Sequence, residues 1–145
     1  MGGVILKQSS LEQLCIQHLS SAGVAFRRDP SGTIRIPAAS GEVGDLIIDF
    51  DGGEITVDIE NITHCHFTPY EASATYAANT IEDCAQGATE FVLSVLNDRR
   101  ILWRYPNGAG GSYEIGADHE HAADTPLEGD DVKKFVWSGP YRDTN

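Results

Sequence analysis

The sequence predicts an α+β domain with a mainly antiparallel sheet of about six or seven strands, packed on one face by an N-terminal helix and a long central helix. Three observations favour this class. Apolar residues recur at helical spacing near the N terminus and again in the middle of the chain. Short alternating segments follow one another in runs on either side of the central helix. A Gly52-Gly53 pair between two such segments is typical of a two-residue hairpin. We therefore expect the order α-ββββ-α-βββ in a single domain over residues 1–145, with a frayed tail at 140–145.

The N-terminal helix is predicted from a capping box and an apolar stripe. Ser9 is the expected N-cap, and Glu12 follows three residues later, so that each side chain can bond to the backbone N–H of the other. Gly23 is a typical C-terminal stop, because glycine adopts positive φ without steric cost. The residues on the predicted apolar face are Leu11, Leu14, Cys15, His18 and Leu19.

The segment from Asp45 to His66 is the centre of the predicted sheet. Pairing outward from Gly52-Gly53 places apolar residues opposite apolar residues on one face. These pairs are Phe50 with Ile55, Ile48 with Val57, and Leu46 with Ile59. A shift of one residue would mix the two faces, so this register is strongly favoured.

The other face of the same hairpin is acidic. Its predicted pairs are Asp51 with Glu54, Asp49 with Thr56, Ile47 with Asp58, and Asp45 with Glu60. Like charges directly opposite each other cost roughly 0.2–1 kcal/mol per pair. We therefore expect a positive group over this face, either from the chain itself or from a partner. The internal candidates are Arg27, Arg28 and Arg35, on strands predicted at 24–29 and 33–37.

The central helix is predicted to begin at Thr68-Pro69-Tyr70-Glu71, where proline takes the first helical position and Glu71 completes a capping box. Continued to Asn97, it would be about 45 Å long at about 1.5 Å per residue. A break near Asn79-Thr80, with Thr80 capping a second helix, is therefore also predicted. The apolar stripe consists of Ala77, Ile81, Cys84, Ala88, Phe91, Val92, Val95 and Leu96.

Three more strands are predicted after this helix, at 101–105, 112–117 and 133–138. The glycine-rich loop at 106–111 lacks the Lys-Ser/Thr pair and the helix that follow a phosphate-binding loop, so it is predicted to be a turn. Residues 118–131 are polar and acidic, which predicts an exposed loop.

The formal net charge of −12 is concentrated in the middle of the chain. No Lys or Arg occurs between Arg35 and Arg99, whereas twelve Asp and Glu do. Such a field attracts cationic partners and repels the phosphate backbone, so we do not expect nucleic acid binding. No apolar segment approaches the roughly 20 residues needed to cross a bilayer, so no membrane association is expected. Three widely spaced cysteines without a C-x-x-C pair indicate a reducing compartment, and we expect a cytoplasmic location.

Four of the five histidines form two His-x-His pairs. Alternate positions on a strand place two imidazoles about 7 Å apart, close enough to share a divalent cation such as zinc. One alternative is therefore a metal-binding protein or a metal-dependent enzyme. Its ligands would be drawn from His64, His66, Asp58, Glu60, His119 and His121.

The sequence contains no G-x-S-x-G elbow, H-E-x-x-H helix or Walker loop. We therefore favour a non-enzymatic module, without a cofactor, that binds a basic protein surface, such as an inhibitor or an immunity-type protein that neutralises a basic partner. A third alternative is an oligomer-forming domain whose acidic face is merely solvated. The expected contact residues are Asp45, Asp49, Asp51, Glu54, Asp58 and Glu60, with Tyr70 and Trp103 as aromatic anchors.

Overall fold

The computed structural model of the chain describes residues 3–51, 53–69, 76–78, 81–115 and 131–141. Within these residues the fold is α+β, with two helices and two sheets. The helices are α1 (Gly3–Ser21) and α2 (Ile81–Leu96). The strands before α2 are β1 (Arg27–Arg28), β2 (Ile34–Ile36), β3 (Leu46–Asp51), β4 (Glu54–Ile59), β5 (Thr63–Pro69) and β6 (Tyr76–Ala78). The strands after α2 are β7 (Arg100–Arg104), β8 (Gly110–Glu114), β9 (Lys133–Val136) and β10 (Gly139–Pro140).

The strands form two sheets rather than the single sheet expected from the sequence. The first sheet has the order β1-β2-β3-β4-β5-β6, with antiparallel neighbours except for the parallel pair of β5 and β6. The second sheet has the order β10-β9-β7-β8 and is antiparallel. The predicted order α-ββββ-α-βββ is therefore wrong in strand number: six described strands precede α2 and four follow it. Alternation along a strand shows which residues share a face, but not which strands form hydrogen bonds with each other.

The central hairpin has the predicted register. Leu46 pairs with Ile59, Ile48 with Val57 and Phe50 with Ile55. On the opposite face, Ile47 lies across from Asp58. Burial alternates along β4, where Ile55, Val57 and Ile59 are buried and the residues between them are not. The pairing of apolar side chains on one face is thus sufficient to define this register.

Helix α1 begins earlier than predicted and ends where predicted. It already runs from Gly3, so Ser9 lies inside the helix and is not its N-cap. Extending an existing helix avoids the cost of a new nucleus, and neither glycine nor proline interrupts residues 4–8. At the other end Gly23 has a φ of 78°, and the Val24 N–H donates to the Leu19 carbonyl at 3.0 Å. This bond satisfies a carbonyl that the end of the helix leaves unpaired.

The helix start predicted at Thr68-Pro69 is wrong. Both residues belong to the end of β5, where they pair in parallel with Ala77 and Ala78 of β6. The sheet pairing overrides the local capping signal, which is only a weak preference. The helix starts instead at Ile81, at the predicted break. Tyr70, Glu71 and Thr80 lie outside the described residues.

The main core lies between the two helices and one face of the first sheet. It includes Cys84, Ala88, Phe91, Val92 and Val95 of the predicted stripe on α2. The second sheet adds Leu102 and Phe135, and the turn between β9 and β10 adds Trp137. Helix α1 contacts β3 and β4, and α2 contacts β4, β5 and β6. The helices therefore cover one face of the first sheet and leave the other to solvent. In the part of the chain that the structure describes, neither helix is long and apolar enough to span a bilayer.

Candidate functional site

The solvent-facing side of the first sheet carries most of the carboxylates predicted to bind a partner. One row across the sheet reads Arg35, Ile47, Asp58 and His64, and the next reads Asp49, Thr56 and His66. We call this surface the acidic face; its residues are Arg35, Asp45, Ile47, Asp49, Glu54, Thr56, Asp58, Glu60, His64 and His66. The alternation that buries Leu46, Ile48, Val57 and Cys65 turns these side chains outward.

One edge of the acidic face is neutralised by the chain itself. The Arg35 guanidinium donates from Nη1 to Asp45 Oδ2 at 2.9 Å, and the Ala38 N–H donates to Asp45 Oδ1 at 2.8 Å. The hydrogen bond from Arg35, followed by that from Ala38, holds the pKa of Asp45 below its usual range. The predicted role of Arg35 as an internal counter-charge is therefore confirmed at Asp45. Arg28 instead donates to Glu12 at 2.7 Å, at the edge of the sheet.

Where β3 ends and β4 begins, an imidazole and hydroxyl groups contact the carboxylates of the acidic face. His66 Nδ1 lies 3.1 Å from Glu54 Oε1, and the Thr68 hydroxyl donates to Glu54 Oε2 at 3.1 Å. The Thr33 hydroxyl donates to Asp49 Oδ1 at 2.8 Å. The hydroxyl groups satisfy acceptors without supplying positive charge, so they leave the field of the face in place.

Asp58 lies at the centre of the acidic face, opposite His64, and no Lys or Arg of the described residues forms an ion pair with it. Burial raises the pKa of its carboxyl, and the charges of Asp49 and Glu60 add to this effect, while His64 opposes it. Among the described residues, no donor forms a hydrogen bond or an ion pair with the Asp58 carboxylate. Folding therefore places this group where its charged form is less stable than in water.

Ile47 is a site residue that sequence reasoning did not select. It is half-buried and lies directly opposite Asp58, with Arg35 on its other side. The predicted register already pairs Ile47 with Asp58, and this pairing is the feature of the sequence from which its place in the site could have been predicted. An aliphatic side chain beside a poorly compensated carboxylate suits the stem and the charged end of a bound Lys or Arg.

The remaining predicted contact residues are not all on this face. Trp103 is buried in a small cluster of the second sheet with Ile101 and Tyr113, so the structure does not bring it to the acidic face. The backbone of Asp51 pairs with that of Glu54 at the end of the hairpin. Tyr70 lies outside the described residues.

The predicted metal ligands come together only in part. The ring centres of His64 and His66 lie 5.0 Å apart, edge to face. His66 Nδ1 also lies 3.1 Å from Glu54 Oε1. Within the described ranges, no group of three or more His, Cys, Asp or Glu side chains is arranged to hold a metal ion. His119 and His121 lie outside those ranges, and the metal site stays a prediction.

The three cysteines are buried thiols that form no disulfide. Burial raises the pKa of Cys15 to about 12 and that of Cys84 to about 11. The Cys84 thiol donates to the Phe67 carbonyl at 3.2 Å. Both thiols therefore stay protonated at neutral pH and act as packing groups.

An Asp58→Asn variant is expected to be more stable than the wild type at neutral pH, because burial, together with the charges of Asp49 and Glu60, disfavours the ionised Asp58 carboxylate. Because the pKa of Asp58 is raised on folding, ionisation destabilises the folded wild type as pH rises through that pKa. The difference between variant and wild type should therefore vanish below the ordinary aspartate value of 3.8. Urea unfolding between pH 3 and 8 measures it.

Asp45→Asn is the matched control with the opposite sign. The pKa of Asp45 is lowered on folding, so the loss of its charge should destabilise the protein at neutral pH. Its effect should persist as the pH falls to 3.8 and disappear only below the lowered pKa. Loss of stability in Asp58→Asn at pH 7 would show that Asp58 is satisfied within the fold.

No protein-family model matches this chain, and neither a curated protein nor a solved structure matches it. The inference of function therefore depends on the geometry of the chain's own residues.

Proposed function

We propose that this protein is a binding module whose acidic face captures a basic protein surface. The observation that carries the proposal is Asp58, a half-buried carboxylate at the centre of an open sheet, without a Lys or Arg partner among the described residues and with a pKa that stays raised despite the neighbouring His64. A cation from a partner would remove the cost that folding imposes on this group.

The shape of the face supports a protein partner. A strand of six residues is about 20 Å long, and four neighbouring strands span roughly 15 Å, since strands lie about 4.8 Å apart. The resulting patch of about 300 Å² is much larger than the site of a single ion and suits the central part of a protein interface, to which each partner contributes about 800 Å².

The chemistry of the face supports a basic partner. Asp49 and Glu60 are exposed and lie near Asp58, so their fields add at the centre of the face. The net charge of −12 extends the attraction beyond the contact area and accelerates the encounter with a cationic surface. These properties suit an inhibitor or an immunity-type protein that neutralises a basic partner.

Charge reversal at Asp58 tests this function. Wild type, Asp58→Lys and Glu90→Lys are immobilised, and proteins captured from a lysate of the native cells are quantified by mass spectrometry. Glu90 is an exposed residue of α2 whose carboxylate accepts from Gln86, so its reversal makes the same charge change away from the acidic face. We expect a basic protein to be captured by wild type and Glu90→Lys, and the amount captured at low salt to fall about tenfold with Asp58→Lys.

Two results would refute the proposal. One is equal capture of the same protein by all three baits, since the central carboxylate would then play no part. The other is the absence of any basic protein enriched on wild type above a blank support. Far-UV circular dichroism of the three baits checks that they are equally folded.

A further inference from the structure

A cleft of about 440 Å³ lies where the turn between β4 and β5 meets the turn between β7 and β8. Its lining residues are Asn61, Arg104, Tyr105, Pro106, Gly108 and Lys133. The volume is within the range of about 300–1,000 Å³ that is usual for small-molecule sites. The described lining contains two cationic side chains and no carboxylate, in a protein with a net charge of −12.

Arg104 is held in place by its surroundings. Its Nη1 donates to the Glu42 carbonyl at 2.8 Å and to the Asn61 carbonyl at 3.3 Å. Its guanidinium carbon lies 5.0 Å from the centre of the Phe135 ring. No described residue accepts from Nε or Nη2. The guanidinium is therefore oriented in advance, which lowers the entropy lost when it binds an anion.

Lys133 lies directly opposite Arg104 across the β7–β9 ladder. It is exposed, and no carboxylate of the described residues pairs with either cation. Two like charges in this position cost roughly 0.2–1 kcal/mol. The pair is thus a second place where folding brings like charges together, here of positive sign.

We infer that this cleft binds the phosphate group of a small organic phosphate. A phosphate monoester carries about −1.5 to −2 charges at neutral pH, which matches the two cations better than a single carboxylate does. Arg104 presents N–H groups in a fixed plane, and Lys133 adds a mobile point charge beside it. Tyr105 and Pro106 at the rim offer apolar surface to the organic part of the ligand.

Titration with phenyl phosphate and inorganic phosphate, followed by amide chemical shifts, tests this site. We expect saturable shifts at Asn61, Tyr105 and Gly108, with tighter binding of phenyl phosphate than of inorganic phosphate. Lys133→Met should weaken the binding of phenyl phosphate about tenfold. Lys134→Met is the matched control, because Lys134 pairs with Trp103 and its side chain extends from the opposite face of the same strand.

Three results would overturn the assignment. Benzoate bound as tightly as phenyl phosphate would show that the cleft does not select the phosphate dianion. Equal weakening by Lys134→Met would show a response to overall charge rather than to this cleft. Absence of shifts at the lining amides would exclude the site. Since neither lysine lies on the acidic face, these results are independent of protein capture.

Discussion

Gly110→Ala is expected to lower the free energy of unfolding by about 3 kcal/mol or more, the upper part of the range for overpacked sites. A Cβ at this position would overlap the Ile62 carbonyl oxygen and lie 2.7 Å from the Trp103 carbonyl oxygen. Both obstacles are backbone atoms, so no side chain can rotate away to make room. Urea unfolding followed by fluorescence of the buried Trp103 and Trp137 measures the loss.

Gly41→Ala is the control for this substitution. A Cβ at Gly41 would meet no atom within 4 Å, and its backbone needs no positive φ. We expect its unfolding free energy to stay within about 0.5 kcal/mol of the wild type, or to rise slightly because alanine restricts the unfolded chain. Equal unfolding midpoints for the two variants would contradict the close approach of β8 to the turn before β5.

This contact also shows why the arrangement of the two sheets was not predicted. The sequence predicts a turn at the glycine-rich segment 106–111. Gly110 is instead the position where the second sheet comes close enough to touch the backbone of the first, near Ile62. A glycine needed for conformational freedom and one needed for close approach have the same appearance in a single sequence.

The hairpin was predictable because its information is local. Apolar residues alternate on both sides of Gly52-Gly53, and a single register keeps them on one face. The start of α2 was ambiguous because Thr68-Pro69 carries a good capping signal. Parallel pairing with Ala77 and Ala78 decides the outcome, and such pairing depends on residues whose proximity no local pattern reveals.

The charges of the candidate site were predictable as a set but not individually. The sequence placed six carboxylates on one face and left open whether arginines of the chain neutralise them. The answer differs between residues that are close neighbours. Arg35 lies across from Ile47 and reaches Asp45, whereas Asp58, one strand further, receives no arginine of the described residues. That distinction requires the strand order and the direction of the Arg35 side chain.

Ile47→Arg is expected to weaken capture of the basic partner at least about 100-fold, or about 2.7 kcal/mol, because it places a cation at the centre of the interface. The new guanidinium would lie opposite Asp58 and supply from within the chain the charge that we assign to the partner. Ile47 is only half-buried, so the unfolding free energy should change by no more than about 1 kcal/mol. Binding of the purified partner by surface plasmon resonance and urea unfolding measure the two effects.

Ile115→Arg separates position from charge. Ile115 is 46% exposed and follows β8 in the second sheet, so the same substitution there adds the same charge without entering the acidic face. The effect of Ile115→Arg on capture should be small and should decrease as salt screens the added charge. The effect of Ile47→Arg should persist at 0.5 M salt, because its steric contact with the partner and its charge repulsion act at short range. Full capture by a folded Ile47→Arg variant would place the interface elsewhere. The destabilised carboxylate of Asp58 would then have no role in binding the partner.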